Sequence, residues 1–445
     1  MPTRTSTLTR DVRDAGAFCQ VVPWVGFVDD AVFFTKTGSL GVVLTLDGVD
    51  YECLDTAQRE AVTARFEAAL RLWDERTHLY QYVLKRPADL ADEATHPPPG
   101  VDAILRRRRE DRRRLGAPSF TVSLYLVVVV DAERAITAWT DSARRLARAP
   151  LATVRDALST TSTVVDLDAD IAHRAAHLRH KVDAFVQQLE DTVAPRVLAQ
   201  AEAFTLFRRL LNYTPEKADG VRLRPDARLD FDAADSALEC HRTHLRLDDH
   251  YVRVLTLKEP PAQTHALLFQ ALYEVPSPML IVSEWQREGQ GAVRREIHAK
   301  RRHFHNAKVS MTSYVMEPTS PTDVLVDDSA AAVVRDLGAA LTELTLQGRY
   351  FGQYTLTVIV SDTDEAALER SVGACLKAFA AHDAQVTDER YNLLNAWLAA
   401  LPGNTAYNVR SMHLLNTNAA DLALLLAQDS GAPRNAHLQR EALAV

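Results

Sequence analysis

The chain has 445 residues, of which 47% are hydrophobic and 25% charged, and its formal net charge is −8. Single cores stop growing at about 250–300 residues, so this length predicts two or three domains. The acidic balance excludes a global attraction to nucleic acid or anionic lipid. The four cysteines lie far apart and form no C-x-x-C pair, which argues against a disulfide framework or a zinc ribbon and fits a reducing cytoplasm.

Residues 1–150 predict an N-terminal α/β domain, because β-rich runs alternate with helical periodicity. Asp55 or Thr56 can cap the first helix, and Asp131 can cap the last one. The predicted elements are a hairpin of Ala31–Lys36 and Leu40–Leu46, a helix to about Glu75, a strand Leu79–Leu84, a loop Ala94–Gly100, a basic helix Val101–Leu115, a strand Phe120–Val130 and a helix to about Arg148.

A helical connector is predicted over residues 151–235, because strand signals stop after Val165 and apolar residues recur at helical spacing. A second α/β domain with a helical insertion follows at 236–390. Its β-α-β order on either side of the insertion predicts a ferredoxin-like, split-βαβ sheet. Its predicted elements are strands Tyr251–Leu257, Met279–Ser283, Tyr354–Val360 and Ala384–Val386, and helices Pro261–Leu272, Glu284–Lys308, Asp327–Leu346 and Asp364–Ala381. The fold class is therefore α/β (α+β), with two sheet-containing units joined by a helical connector.

The densest charge cluster is an arginine run with two interpretations. It could contact phosphates or anionic headgroups, or it could be a solvated or partner-facing helix whose acids pair with arginines at i,i+4. Consecutive arginines wrap around a helix and do not form one stripe, which favours the second interpretation. The candidate interaction surface consists of Arg106, Arg107, Arg108, Arg109, Arg112, Arg113 and Arg114.

No catalytic, nucleotide-binding or metal site is predicted. A phosphate-binding P-loop needs a Gly-Lys pair, and the sequence contains no such dipeptide. Asp131 after an apolar strand resembles a Walker B carboxylate, but a helix cap explains it better without a P-loop. Metal ligation is disfavoured at both histidine clusters: His241 and His244 would point to opposite faces of a strand, and cationic residues surround the cluster His298, His303 and His305. The longest apolar run, Leu124–Val130, is too short to cross a bilayer.

Several segments, in co-linear order, share a pattern with known proteins. They are VPWVGFVDD (22–30), the stretch Thr35–Asp55, RRLLNYTP (208–215), HYVRVLTLKEPP (250–261), RYFGQYTLTVIVSD (349–362), LPGN (401–404) and LLNTNAADL (414–422). Together they resemble the N-terminal region of the CagE/TrbE/VirB family of type IV secretion and conjugal transfer ATPases, nearest to its TrbE branch. In that family LPGN lies shortly before a RecA-like motor, so residues 391–445 are expected to lead toward that domain. The chain stops at Val445, before the Walker A loop, either as an N-terminal part or as a natural truncation.

The resemblance implies a docking and assembly module that attaches the motor to the inner-membrane channel. The implied partners are inner-membrane components of the secretion system and other copies of the ATPase, with anionic lipid as a further contact. The implied location is cytoplasmic and peripheral at the inner membrane. No cofactor is expected in this chain, and ATP and magnesium would belong to the motor domain. The alternative is a nucleic-acid-binding module of a DNA conjugation apparatus, since Arg106–Arg114 and Arg294–His305 are basic.

Overall fold

The structure is a computed structural model that describes residues 18–50, 54–88, 99–115, 119–132, 160–224, 228–261, 263–291, 293, 295, 348–427, 434–435 and 440–441. Within this part of the chain, 13 strands form one sheet, and every pairing in that sheet is antiparallel. The mixed helix-and-sheet class predicted from the sequence is confirmed.

The strands are numbered in chain order. They are β1 Trp24–Phe27, β2 Val32–Thr35, β3 Leu40–Leu46, β4 Val49–Asp50, β5 Thr77–Pro87, β6 Phe120–Val130, β7 Arg196–Val197, β8 Leu238–Cys240, β9 Leu245–Leu247, β10 His250–Glu259, β11 Met279–Arg287, β12 Phe351–Asp362, β13 Gln385–Asp388, β14 Met412–Leu415, β15 Leu426–Ala427, β16 Arg434–Asn435 and β17 Arg440–Glu441.

The described helices are numbered in the same way. They are α1 Thr56–Leu70, α2 Pro99–Leu115, α3 Thr160–Val193, α4 Gln200–Leu211, α5 Pro215–Asp219, α6 Leu229–Asp232, α7 Ala271–Glu274, α8 Glu365–Ala380, α9 Leu393–Ala399 and α10 Asn416–Asp421. Among them, none combines the length and the apolar character that crossing a bilayer requires.

The strands of the two predicted α/β units join in a single sheet, and this corrects the expectation of two separate sheets. The order is β1-β2-β3-β6-β5-β11-β12-β10-β9-β8, with β7, β13 and β14 paired to β3, β10 and β12. The seam is the pairing of β5 with β11, which runs from Lys85 opposite Met279 to His78 opposite Gln286. Both strands are buried on both faces over most of their length, and each pairs with a neighbouring strand at both edges. The ferredoxin-like arrangement is not confirmed.

Side chains that alternate along each strand feed two hydrophobic cores, one on each face of the sheet. In β5, Leu79 and Val83 join the core covered by α1, α3, α8 and α10, whereas Tyr80, Tyr82 and Leu84 join the core covered by α4 and α9. This period of two is the ordinary geometry of a strand buried on both sides. The predicted strands Phe120–Val130 and Tyr354–Val360 are confirmed. Both are central in the sheet, because β6 lies between β3 and β5 and β12 lies between β11 and β10.

Local signals set several helix ends where the sequence predicted them. Asp55 caps α1 by accepting a hydrogen bond from the Gln58 amide at 2.8 Å, and the Gln58 side chain accepts one from the Asp55 amide. Such caps contribute about 1 kcal/mol. Asp364 caps α8 in the same way through the amides of Ala366 and Ala367.

Other predicted elements are wrong. Residues 284–287 continue β11 instead of starting a helix, because Trp285 packs against Tyr350 in the core and Glu284 bonds His78. In the stretch predicted as the helix Pro261–Leu272, only Ala271 and Leu272 belong to a described helix, α7. After α4, the predicted helical connector is broken into the short helices α5 and α6. The predicted helix that follows Asp131 falls on residues outside the described part of the chain from 133 onward, as do the predicted helix 327–346 and most of 284–308.

Candidate interaction surface

Helix α2 carries the predicted arginine surface and lies in the chain between the paired strands β5 and β6. Strands β5 and β6 pair up to Pro87 opposite Phe120, and the Ala88 amide donates to the Ser119 carbonyl at 2.8 Å. The helix lies in the connection between these two paired ends. The pairing of β5 with β6 is therefore complete before the chain enters the helix, and the register of the two strands does not depend on α2.

The described arginines of α2 are exposed, as expected for a charged helix. Arg106, Arg107 and Arg108 are exposed, and the side chain of Arg114 is 75% exposed. The predicted pairs within the helix are present: Arg106 lies 2.7 Å from Asp102, and Arg114 lies 3.7 Å from Glu110. The side chains of Arg109, Arg112 and Arg113 lie outside the described residues. Exposed pairs of this kind contribute little to stability, so these charges are available to a partner.

The LPGN segment lies against the N-terminal motif at the other end of the sequence. The indole of Trp24 donates to the carbonyl of Pro402 at 2.9 Å, and its ring stacks on Phe207 with centroids 4.1 Å apart. The Tyr82 hydroxyl donates to the carbonyl of Ala400 at 2.8 Å. Asn404 donates to the carbonyl of Val21 at 2.9 Å. Residues 318 to 383 positions apart thus form one contact, and their role is structural.

The RRLLNYTP segment also holds the fold through buried polar side chains. Arg208 is fully buried, and its guanidinium donates to the carbonyls of Lys217 and Asp232 and to the Asp235 carboxylate. The side chain of Asn212 bonds in both directions, since its amide donates to the Arg208 carbonyl and its oxygen accepts from the Asp235 amide. Buried polar groups must be paired in this way to avoid a desolvation cost of about 1–3 kcal/mol each. These two residues of the motif are therefore structural.

The same segment borders a cleft that the sequence did not reveal. Arg209, from the second position of RRLLNYTP, and Arg86, from the end of β5, both bond Asp219. The cleft has a volume of about 130 Å³ and includes Tyr213 and His250. The motif contained Arg209, but only the three-dimensional pairing of β5 with β11 and β6 places Arg86 beside it.

On the sheet face that carries Tyr80 and Tyr82, four polar side chains form a hydrogen-bonded chain that runs from buried residues to the partly exposed Asp131. The ring of His78 lies 2.8 Å from a Glu284 oxygen through Nδ1 and 3.3 Å from an Asp131 oxygen through Nε2. Asn408 donates to the other Glu284 oxygen at 3.1 Å. The prediction that Asp131 caps a helix concerns a helix outside the described residues. The Asp131 carboxylate pairs with His78 and accepts from the Ser39 hydroxyl.

The prediction that the rings of His241 and His244 point to opposite faces of a strand is wrong, but the described residues there do not form a metal site. The rings of His241 and His244 do not point to opposite faces, because they lie in the turn between β8 and β9 and stack 4.7 Å apart. Across the described ranges, no three His, Cys, Asp or Glu side chains are grouped so that they could hold a metal ion. The cluster His298, His303 and His305 lies outside those ranges.

Comparison with known proteins gives two family matches along the chain. Residues 31–137 match the N-terminal domain of the type IV secretion system ATPase VirB4/TrbE. Residues 241–410 match the CagE, TrbE, VirB family, a component of the type IV transporter system. Both matches point to one class of protein, the components of type IV transport systems. Within that class, this chain belongs to the CagE/TrbE/VirB family and is TrbE-like.

Two curated relatives agree with this assignment. The chain is 21% identical over 422 residues to the conjugal transfer protein TrbE of Rhizobium radiobacter, an alignment that covers 93% of this chain and 50% of the relative. It is 32% identical over 108 residues to the second segment of a probable conjugal transfer protein TrbE of Sinorhizobium fredii, covering 24% of this chain and 16% of the relative. The aligned regions thus span half or less of the length of these relatives.

Proposed function

We propose that this chain is the docking and assembly module of a type IV secretion (conjugal transfer) ATPase and attaches the motor to the inner-membrane channel. The observation that carries the proposal is helix α2, an exposed, arginine-rich helix in a connection outside the sheet. Its described arginines are exposed, and Arg106 and Arg114 pair with acidic residues of the same helix. An exposed basic helix beside a closed hairpin suits electrostatic attachment to an acidic partner or an anionic membrane surface.

The proposed partners are inner-membrane components of the secretion system and other copies of the ATPase, with anionic lipid as an additional contact. The proposed location is the cytoplasmic side of the inner membrane. Hydrolysis of ATP with magnesium is assigned to a motor domain, because the sequence of this chain contains no Gly-Lys pair for a P-loop. The chain alone is expected to bind no nucleotide cofactor.

The test is co-sedimentation of the full chain with vesicles made from inner membranes that contain the channel components. Protein-free vesicles of the same lipids serve as the control. We expect sedimentation with the first kind and weaker sedimentation with the second, both decreasing as salt rises. Equal sedimentation with both kinds would indicate lipid binding alone. No sedimentation, together with salt-dependent binding to duplex DNA, would replace docking with the nucleic-acid function.

A second measurement concerns nucleotide. Magnesium-ATP is expected to leave the melting temperature of the chain unchanged and to be hydrolysed no faster than without protein. A ligand present at 100 times its Kd would stabilise the folded state by about 2.7 kcal/mol, which a thermal scan detects easily. A saturable shift would overturn the assignment of nucleotide binding to another domain.

A further inference from the structure

The cleft beside RRLLNYTP has an apolar floor made by three adjacent strands. Leu84 of β5, Leu280 of β11 and Ile359 of β12 are direct cross-strand neighbours, and all three line the cleft. Tyr213 and Pro215, at the junction of α4 and α5, also line it. Its volume of about 130 Å³ is close to the volume of about 150 Å³ at which an apolar cavity binds benzene. One leucine- or phenylalanine-sized group therefore fits.

The rim of this cleft is basic. Arg86 Nη2 and Arg209 Nε bond the two oxygens of Asp219 at 2.6 and 2.7 Å, so two guanidinium groups share one carboxylate. Each arginine side chain is about a quarter exposed, at 24% and 25%. A guanidinium has five N–H donors, so donors remain for a second carboxylate. Burial acts to raise the pKa of Asp219, but the bonds from Arg86 and Arg209 outweigh it and keep that pKa below its ordinary value. Asp219 is thus ionised at neutral pH and competes for the same two arginines.

The position of the cleft connects it with the arginine helix. Pro87 lines the cleft and pairs with Phe120, so the connection that carries α2 leaves the sheet at the cleft. A basic rim and a basic helix thus lie at the same end of the β5–β6 hairpin. Both features favour a ligand with negative charge, and the apolar floor requires that the ligand also has a large apolar group.

We propose that the cleft binds a short acidic segment of a partner protein. One large apolar side chain would lie on Leu84, Leu280 and Ile359, and a neighbouring carboxylate would bond Arg86 and Arg209. This inference rests on the proposed docking function and assigns to it a surface and a partner chemistry. A bare phosphate would use the rim alone and leave the apolar floor in water, whereas an acidic peptide with an apolar residue covers both.

The test uses the full chain and a fluorescein-labelled peptide, Asp-Asp-Leu-Phe-Asp-Glu, followed by fluorescence anisotropy. We expect saturable binding, and at least tenfold weaker binding of the peptide in which serine replaces both apolar residues. Arg86→Gln and Arg209→Gln should each weaken binding about tenfold. Asp219→Asn should strengthen it severalfold, because the internal competitor for the arginines is removed. Arg71→Gln, an exposed arginine paired with Glu67 on α1, should have no effect.

Several outcomes would overturn the inference. These are equal binding of the serine peptide, displacement of the peptide by millimolar inorganic phosphate, and an Asp219→Asn variant that is folded and binds no better than the original chain. The Asp219→Asn result decides the question if an arginine variant fails to fold, because this variant is expected to gain affinity. If the peptide does not bind but the chain still sediments with channel-containing vesicles, only this inference fails. If the peptide binds as expected and sedimentation fails, the docking function fails.

Discussion

His78 shows how a single buried residue makes the stability of this sheet depend on pH. Its ring bridges Glu284 and Asp131 at the seam between β5 and β11. Burial acts to lower the pKa of His78, but the two carboxylates outweigh burial and raise that pKa from 6.5 to about 9. A pKa raised in the folded state adds stability that is fully present below about pH 6.5 and is lost as pH rises through about 9.

The first prediction is that His78→Gln lowers the free energy of unfolding at pH 6 and has a much smaller effect at pH 9.5. The difference at pH 6 should be on the order of 3 kcal/mol, since each pKa unit corresponds to about 1.4 kcal/mol. Urea denaturation at several pH values measures it. Lys85, whose pKa burial lowers to about 8, acts in the opposite direction as pH rises, but it is present in both proteins and cancels in their difference. A difference that stays constant between pH 6 and 9.5 would contradict the prediction.

The second prediction concerns Gly403 in the LPGN segment. Its φ is +98°, and a Cβ there would lie 3.1 Å from Cγ2 of Thr35. Gly403→Ala should therefore destabilise the protein by about 1–3 kcal/mol through backbone strain and crowding. The matched control is Gly373→Ala within α8, where nothing lies within 4 Å of the added Cβ and a gain of about 0.5–1 kcal/mol is expected. Thermal unfolding of both variants should give shifts of opposite sign.

At the scale of single elements, the arginine charges of α2 can be removed without loss of the fold. The third prediction is that changing Arg107, Arg108, Arg112 and Arg113 together to Ser alters stability by about 1 kcal/mol or less, as exposed charges usually do. The same variant should sediment less with channel-containing vesicles, by roughly 1 kcal/mol per charge near an anionic surface, and the loss should shrink at high salt. Circular dichroism and the sedimentation assay measure the two effects. An unfolded variant would show that the arginines are buried in ion pairs. Unchanged sedimentation at low salt would show that α2 is a solvated helix with no role in binding.

Helices and strands could be predicted from the sequence where the residues that determine their ends are close together in the chain. Strand β6 was predicted with the bounds that the structure shows, because its apolar run ends at Asp131, and α1 and α8 begin at capping aspartates. Residues 284–287 were wrongly assigned to a helix, because the partner of Glu284 is His78, more than 200 positions away. The cleft was missed for the same reason, since Arg86 and Arg209 meet only after β5, β6 and α4 have packed.

For the whole molecule, the continuous sheet predicts that both family-matched regions unfold together. Val282, at the seam, is 4% exposed and pairs with Tyr82 of β5. The fourth prediction is that Val282→Ala lowers amide protection against hydrogen exchange equally in β3 and in β10, although neither strand pairs with β11. The free energy of unfolding should fall by about 1–3 kcal/mol. If the sheet is one cooperative unit, the same decrease should be measured in both strands. Val221→Ala, at a position 39% exposed, is the control and should change neither strand. Protection lost only in β10 would show two separate folding units.

The closed β5–β6 hairpin also has an evolutionary consequence. Pro87 and Phe120 face each other whatever lies between them, so insertions, deletions or charge changes in that connection shift no strand out of register. Loops with this property accumulate variation at low cost to the fold. If α2 binds a partner as proposed, a lineage can change that partner while the sheet stays under constant selection. The same sheet would then serve transfer systems whose membrane components have diverged.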